Sequence, residues 1–233
     1  MRKPLEKLAR EGWEITLLSP DSTGAISADA VRAALREDTA LVTLMMVNNE
    51  TGAVTDIAGV ARALRAAKSK ALLHTDAVQG FMKEPFSAKT LGADMISVSG
   101  HKVHAPKGIG ALYIRQGLKL PAHILGGGQE DGLRSGTEPM PQIAAFGEAV
   151  RIAKAEMPEA NKRMEVLRAQ CVQTLTDTVP DIVFLGGGSA HILSLSLPGY
   201  RSEVLMNYLE AKGIYVSKSS ACKRGKRSHV LEA

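Results

Sequence analysis

The first two-thirds of the chain alternates segments of helical periodicity with short apolar segments that are typical of strands. The run ALVTLMMV (40–47) is continuously apolar, as expected of a strand that is buried on both faces of a sheet. Helical patterns lie at 27–36 and 56–68, and further strand patterns lie at 71–75, 94–99 and 108–115. Strands that are separated by helices of this length pair in parallel, because a parallel connection has to cross back over the sheet. The alternation therefore predicts an α/β domain with a mainly parallel sheet and flanking helices.

Weaker patterns complete the prediction for this part of the chain. A helix around Leu5 and Leu8 ends at Gly12, and WEITLL (13–18) has the composition of a strand. Ser27 stands at the expected N-cap of the helix at 27–36, since a hydroxyl there can accept a backbone N–H of the first turn.

After Thr137 the pattern changes to that of a smaller α+β domain. The predicted elements are a helix from about Pro141 that Pro158 interrupts, a second helix at 163–175, strands at 182–185, 191–197 and 214–217, and a helix at 202–213. We place the boundary near Met157, which divides the chain into residues 1–156 and 157–233. Within the second part, Cys171 is expected to be a small buried side chain, and the glycine run at 186–188 is interpreted as a flexible turn.

Composition excludes several classes of protein. No apolar run approaches the roughly 18 residues of a membrane span. Only two cysteines, Cys171 and Cys222, occur, so a disulfide framework is excluded and a cytoplasmic location is expected. The net charge of +5 is compatible with nucleic-acid binding, but aromatic residues make up only 4% and no basic–aromatic motif occurs. We therefore expect neither a membrane nor a nucleic acid as a partner.

Three polar loops follow three of the predicted strands. They are NNETG (48–52), DAVQG (76–80) and GHKVHAPKG (100–108), and packing explains little of their chemistry. Ligands of open α/β sheets bind beyond the carboxyl ends of the strands, so these loops predict one shared site. A metal site is poorly supported, because the histidines and Asp76 lack the spacing of a zinc motif. A pyridoxal phosphate site fits better, since it needs a lysine and a carboxylate for the pyridinium nitrogen.

Four motifs, in order and at matching spacing, make the prediction specific. The sequences HTDAVQ (74–79), VSGHKVHAPKGIGALYIR (98–115), GGGQEDGLRSGTEP (126–139) and SSAC (219–222) resemble those of the cysteine desulfurases of the class V aminotransferase family. The resemblance runs from about Glu11 to Leu231. It implies part of the fold-type I large domain that binds pyridoxal 5'-phosphate (PLP), followed by an incomplete α+β small domain.

The resemblance also implies a role for each matching residue. Lys102 would carry PLP as a Schiff base, Asp76 would pair with the pyridinium nitrogen, and Gln79 would bond to the phenolic oxygen, with Asn49 close by. His74 would lie under or beside the ring. Ser99 and His101 would hold the phosphate, and Thr137 would reach the phosphate of the neighbouring subunit in a homodimer.

Cys222 is the predicted sulfur-accepting nucleophile. Five basic residues surround it in sequence and would favour the reactive thiolate, and the small residues before it suit a mobile loop. The resemblance implies that L-cysteine becomes L-alanine while Cys222 carries a persulfide. A sulfur-acceptor protein would then take the sulfur for iron–sulfur clusters or thiolation.

The resemblance further implies that segments at both ends of the family fold are absent from this chain. These segments hold a histidine that stacks on the PLP ring and an arginine that binds the substrate carboxylate. Two alternatives therefore stay open. One is a non-catalytic, truncated or split homologue that dimerises or binds a partner, and the other is a class V enzyme similar to selenocysteine lyase.

Overall fold

A four-stranded sheet lies at the centre of the computed structural model, which describes residues 2–217. The strands β1 (Leu41–Met45), β2 (Leu72–Asp76), β3 (Met95–Ser99) and β4 (Gly110–Ile114) are neighbours in that order. β1, β2 and β3 pair in parallel, whereas β4 runs antiparallel to β3. The α/β fold with a mainly parallel sheet, predicted from the alternation of elements, is confirmed.

Two helices precede β1, and two more lie between β1 and β3. They are α1 (Arg2–Arg10), α2 (Ala28–Ala34), α3 (Ile57–Ala66) and α4 (Ala88–Leu91). Ser27 caps α2 as predicted, because its hydroxyl accepts the N–H of Ala30 at 3.1 Å. The apolar side of α3 joins α2 and the strands in one core, in which Val31, Val60 and Leu73 are almost completely buried.

The second half of the described chain contains one long helix and a small sheet. Helix α5 (Met140–Thr178) is followed by β5 (Val183–Leu185), β6 (Ser194–Ser196) and α6 (Ser202–Glu210). β5 and β6 pair in antiparallel fashion. No helix within residues 2–217 combines the length and the apolar character that a membrane span needs.

The predicted interruption at Pro158 is wrong, because α5 continues through this residue. Proline removes one N–H donor from the helix, and the hydrogen bonds on both sides of it hold a helix of 39 residues together. The proposed domain boundary near Met157 falls inside α5, and the division into 1–156 and 157–233 stays a prediction.

Four local predictions differ from the structure. Segments 13–18 and 214–217 are not strands, since neither pairs with another strand of the described chain. The strand within 40–47 is only half-buried, because β1 lies at an edge of the sheet that residues 2–217 form. Cys171 is exposed rather than buried, because it lies on the outer surface of α5.

The core makes a first testable prediction. Leu73 is 1% exposed, so Leu73→Ala should lower the free energy of unfolding by about 2–5 kcal/mol through lost burial and a new cavity. The matched change Leu17→Ala removes a side chain that is 66% exposed and should cost less than about 0.5 kcal/mol. Urea unfolding followed by circular dichroism measures both, and equal losses for the two variants would contradict this core.

Candidate active site

The middle of β2 places His74 between its two neighbouring strands. A hydrogen bond of 2.7 Å joins its Nδ1 to Thr43 Oγ1 of β1, and one of 2.9 Å joins its Nε2 to Ser97 Oγ of β3. Burial lowers the pKa of His74, and the charge of Asp76 only partly opposes this. The imidazole is therefore fixed in the sheet by both ring nitrogens.

Asp76 is the last residue of β2 and opens the next loop. The sheet register sets it beside Met45 of β1 and Ser97 of β3. Its carboxylate accepts the N–H of Val78 at 3.1 Å, which turns the chain into the loop that carries Gln79. A Cβ at Gly80 would lie 2.5 Å from the sulfur of Met46, so glycine lets this loop pack against the end of β1.

The loop after β1 carries Asn49 to the same edge of the sheet. The side-chain oxygen of Asn48 accepts the N–H groups of Glu50 and Thr51 at 2.9 and 3.0 Å, which closes a tight turn around Asn49. The backbone N–H of Met46 donates to the carbonyl of Asp76 at 2.9 Å. This bond joins the loops that hold Asn49 and Asp76.

Lys102 lies in a short 3-10 helix, Gly100–Val103, directly after β3. A Cβ at Gly100 would lie only 2.7 Å from a methyl group of Ile109, so the tight entry to this turn requires glycine. The Ser99 hydroxyl and His101 Nδ1 are joined by a hydrogen bond of 2.7 Å. Lys102 is half-buried between the exposed His101 and the buried Val103.

The structure brings seven of the predicted site residues to the region of one edge of the sheet. They are Asn49, His74, Asp76, Gln79, Ser99, His101 and Lys102. Thr137 lies in an exposed segment before α5, and no hydrogen bond within residues 2–217 joins it to the three loops. Cys222 and the basic residues around it lie outside the described residues.

A second polar cluster adjoins Lys102 and was not predicted from the sequence. The Lys83 ammonium donates to the Lys102 carbonyl at 2.7 Å, and the Asn161 side chain of α5 donates to the Lys83 carbonyl at 2.6 Å. Ser189 donates its hydroxyl proton to the carboxylate of Glu84 and also bonds to His191 Nδ1 at 2.7 Å. Ser189 and Glu84 are 105 positions apart, so no spacing in the sequence indicates this cluster.

The bonding of Ser189 assigns the tautomer of His191. The single hydroxyl proton of Ser189 goes to Glu84, so Ser189 Oγ must accept a proton from His191 Nδ1. Nε2 then carries the lone pair, and it is buried without a hydrogen-bond partner in the described chain. Burial, followed by the charges of Lys83 and Lys102, lowers the pKa of His191 to about 4, which keeps the ring neutral near pH 7.

This histidine predicts a loss of stability in mild acid. Between pH 6.5 and about 4 the unfolded chain takes up a proton at His191 and the folded chain does not. The free energy of unfolding therefore decreases as the pH is lowered through this range. The effect should be on the order of 1 kcal/mol after solvent screening is allowed for. Urea unfolding at several pH values should show a shallower pH slope for His191→Gln than for the wild type. The exposed control His123→Gln should keep the wild-type slope, and an unchanged slope in His191→Gln would contradict the assignment.

Comparisons with known proteins agree on one family. The family model described as Aminotransferase class-V matches residues 2–231. The "Cysteine desulfurase IscS" of Serratia proteamaculans is 43% identical over 97% of this chain. A solved "NIFS-LIKE PROTEIN" superposes with a TM-score of 0.89 at 37% identity over 99% of this chain. The structure "SspA in complex with cysteine" has a TM-score of 0.75 at 31% identity over 99% of this chain. The chain spans 57% of the first relative and 61% and 64% of the two solved chains.

Proposed function

The chain belongs to the class-V aminotransferase family, and from this membership we propose that it acts as a PLP-dependent cysteine desulfurase. In the proposed reaction L-cysteine becomes L-alanine, and the sulfur passes to Cys222. The observation that carries the proposal is the position of Lys102 and Asp76 at one edge of the sheet, in a chain 43% identical to a cysteine desulfurase. A similar protein whose structure is named as a complex with cysteine supports L-cysteine as the substrate.

The donor set at this edge fits PLP. Lys102 offers a primary amine, Asp76 a carboxylate, and Gln79 and Asn49 offer amides, while Ser99 and His101 offer donors suited to a phosphate. Bound PLP would supply an electron sink that lets bonds to the amino-acid substrate break.

The chain's own residues would hold and orient this cofactor. The carboxylate of Asp76 would hold a proton on the ring nitrogen, while its bond from the Val78 N–H fixes its orientation. The hydrogen bond between Ser99 and His101 would hold both side chains ready for the phosphate. Lys102 Nζ would anchor the cofactor and move a proton during the reaction.

Cys222 and Thr137 would serve sulfur transfer and the assembly of a homodimer. Cys222 would hold the sulfur as a persulfide until a sulfur-acceptor protein takes it, and the basic residues beside Cys222 would favour its thiolate. Thr137 would complete the phosphate site of a second copy, so the working form would be a homodimer. We propose a cytoplasmic location, in keeping with only two cysteines in the chain.

Cofactor attachment is tested by trapping. The purified chain should bind PLP with visible absorbance, and borohydride should fix the cofactor on the peptide that contains Lys102. Lys102→Ala should lose the trapped product, whereas Lys107→Ala, a change of an exposed lysine in the same loop, should keep it. Mass spectrometry of the digested protein locates the modification, and trapping on any other lysine would overturn the site.

Turnover is tested with the two cysteines. L-cysteine should yield alanine and, with a thiol reductant, sulfide. Cys222→Ser should reduce alanine formation by at least about a hundredfold, as expected when a nucleophile is removed. Cys171→Ser changes an exposed cysteine of α5 and should leave the rate unchanged. PLP binding without any alanine would favour the non-catalytic alternative, and turnover of L-selenocysteine without Cys222 would favour a selenocysteine lyase.

A further inference from the structure

We propose that Lys83 is a positioning residue that fixes the backbone of Lys102. The inference rests on the proposed function only in taking Lys102 as the residue that carries PLP. It concerns a contact between two lysines that lie 19 positions apart and on different loops.

The carbonyl of Lys102 receives no hydrogen bond from the backbone N–H three or four residues later, which is where a helix would supply one. In an α-helix its partner would be residue 106, but Pro106 has no N–H. The next candidate, the N–H of Ala105, instead donates to the carbonyl of Gly100 at 3.0 Å. The Lys83 ammonium donates a hydrogen bond to the Lys102 carbonyl instead, with 2.7 Å between Nζ and the oxygen. A side chain therefore supplies a bond that the turn cannot make for itself.

Lys83 is itself held on two sides. Asn161 of α5 donates to its carbonyl at 2.6 Å, and its N–H donates to the carbonyl of Gly80 at 3.0 Å. Lys83 therefore ties three parts of the fold together, namely the loop after β2, the turn that carries Lys102 and the long helix α5.

The electrostatics indicate a specific role rather than a general stabilising one. Lys83 is half-buried, and burial, followed by the charge of Lys102, lowers its pKa. No carboxylate within residues 2–217 forms an ion pair with it, and the neighbouring Glu84 accepts the hydroxyl proton of Ser189. A solvated lysine at this position would avoid the desolvation cost. At its half-buried position the ammonium donates a charge-assisted bond to the Lys102 carbonyl.

The bond is tested first in the full chain without PLP. Lys83→Met keeps the length of the side chain and loses the donor, whereas Lys83→Arg keeps both charge and donor. Hydrogen–deuterium exchange of the peptide 100–108 should speed up about tenfold in Lys83→Met, the factor expected for the loss of a hydrogen bond to a charged group. Lys83→Arg should restore the wild-type rate, and Lys89→Met, a change on the exposed surface of α4, should have no effect.

A second readout follows the Lys102 side chain. Acetic anhydride should modify Lys102 at a changed rate in Lys83→Met, measured relative to the exposed Lys107 of the same loop. In the PLP-bound chain, the borohydride trapping rate at Lys102 per bound PLP should fall about tenfold in Lys83→Met and recover in Lys83→Arg. If Lys83 only stabilised the fold, Lys83→Met would lower the unfolding temperature and leave the trapping rate per bound PLP unaltered.

The outcomes separate the inference from the proposed function. If PLP binds elsewhere or not at all, exchange and acetylation in the PLP-free chain still decide the positioning role. Unchanged exchange at 100–108 in Lys83→Met, or a failure of Lys83→Arg to restore it, would overturn the inference. If Lys83→Met does not fold, Lys83→Ala provides the same comparison, since its side chain also lacks a donor and is less costly to expose.

Discussion

The parallel register of β1, β2 and β3 determines where the chemistry of this chain can take place. It aligns Met45, Asp76 and Ser97 across three strands, so the loops that follow these strands leave the same edge of the sheet. The bond from the Met46 N–H to the Asp76 carbonyl extends this alignment beyond the strands. Asn49, Gln79 and Lys102 owe their common location to this register, although they are distant in sequence.

A cluster of half-buried polar groups adjoins the turn that carries Lys102. The ammonium of Lys83 lies close to Lys102, and no ion pair in the described residues compensates these two positive charges. His191 is neutral near pH 7, and the carboxylate of Glu84 accepts a hydrogen bond from Ser189. Such an arrangement is costly for stability, since burial removes part of the hydration of the Lys83 ammonium. Fold stability comes from the apolar core around Val60 and Leu73, which leaves this cluster free to serve the site.

The sequence allowed the sheet and the common edge of the three polar loops to be predicted, because apolar periodicity and polar residues after strands are local signals. The errors at 13–18 and Pro158 arose where tertiary context decides, since a strand needs a partner and a long helix tolerates one missing donor. The glycines at 186–188 are more than a turn, because a Cβ at Gly186 would lie 2.6 Å from the Thr51 side chain. The partnership of Lys83 with Lys102 depends on folding and has no signal in the spacing.

The central claim is that the loops at the carboxyl edge of β1, β2 and β3 form one PLP site. A crystal structure of the chain grown with PLP tests it most directly. The account predicts continuous density from Lys102 Nζ to the cofactor, with the Asp76 carboxylate within hydrogen-bond distance of the ring nitrogen. Cofactor density away from this edge, or a ring nitrogen without Asp76 as its partner, would contradict it.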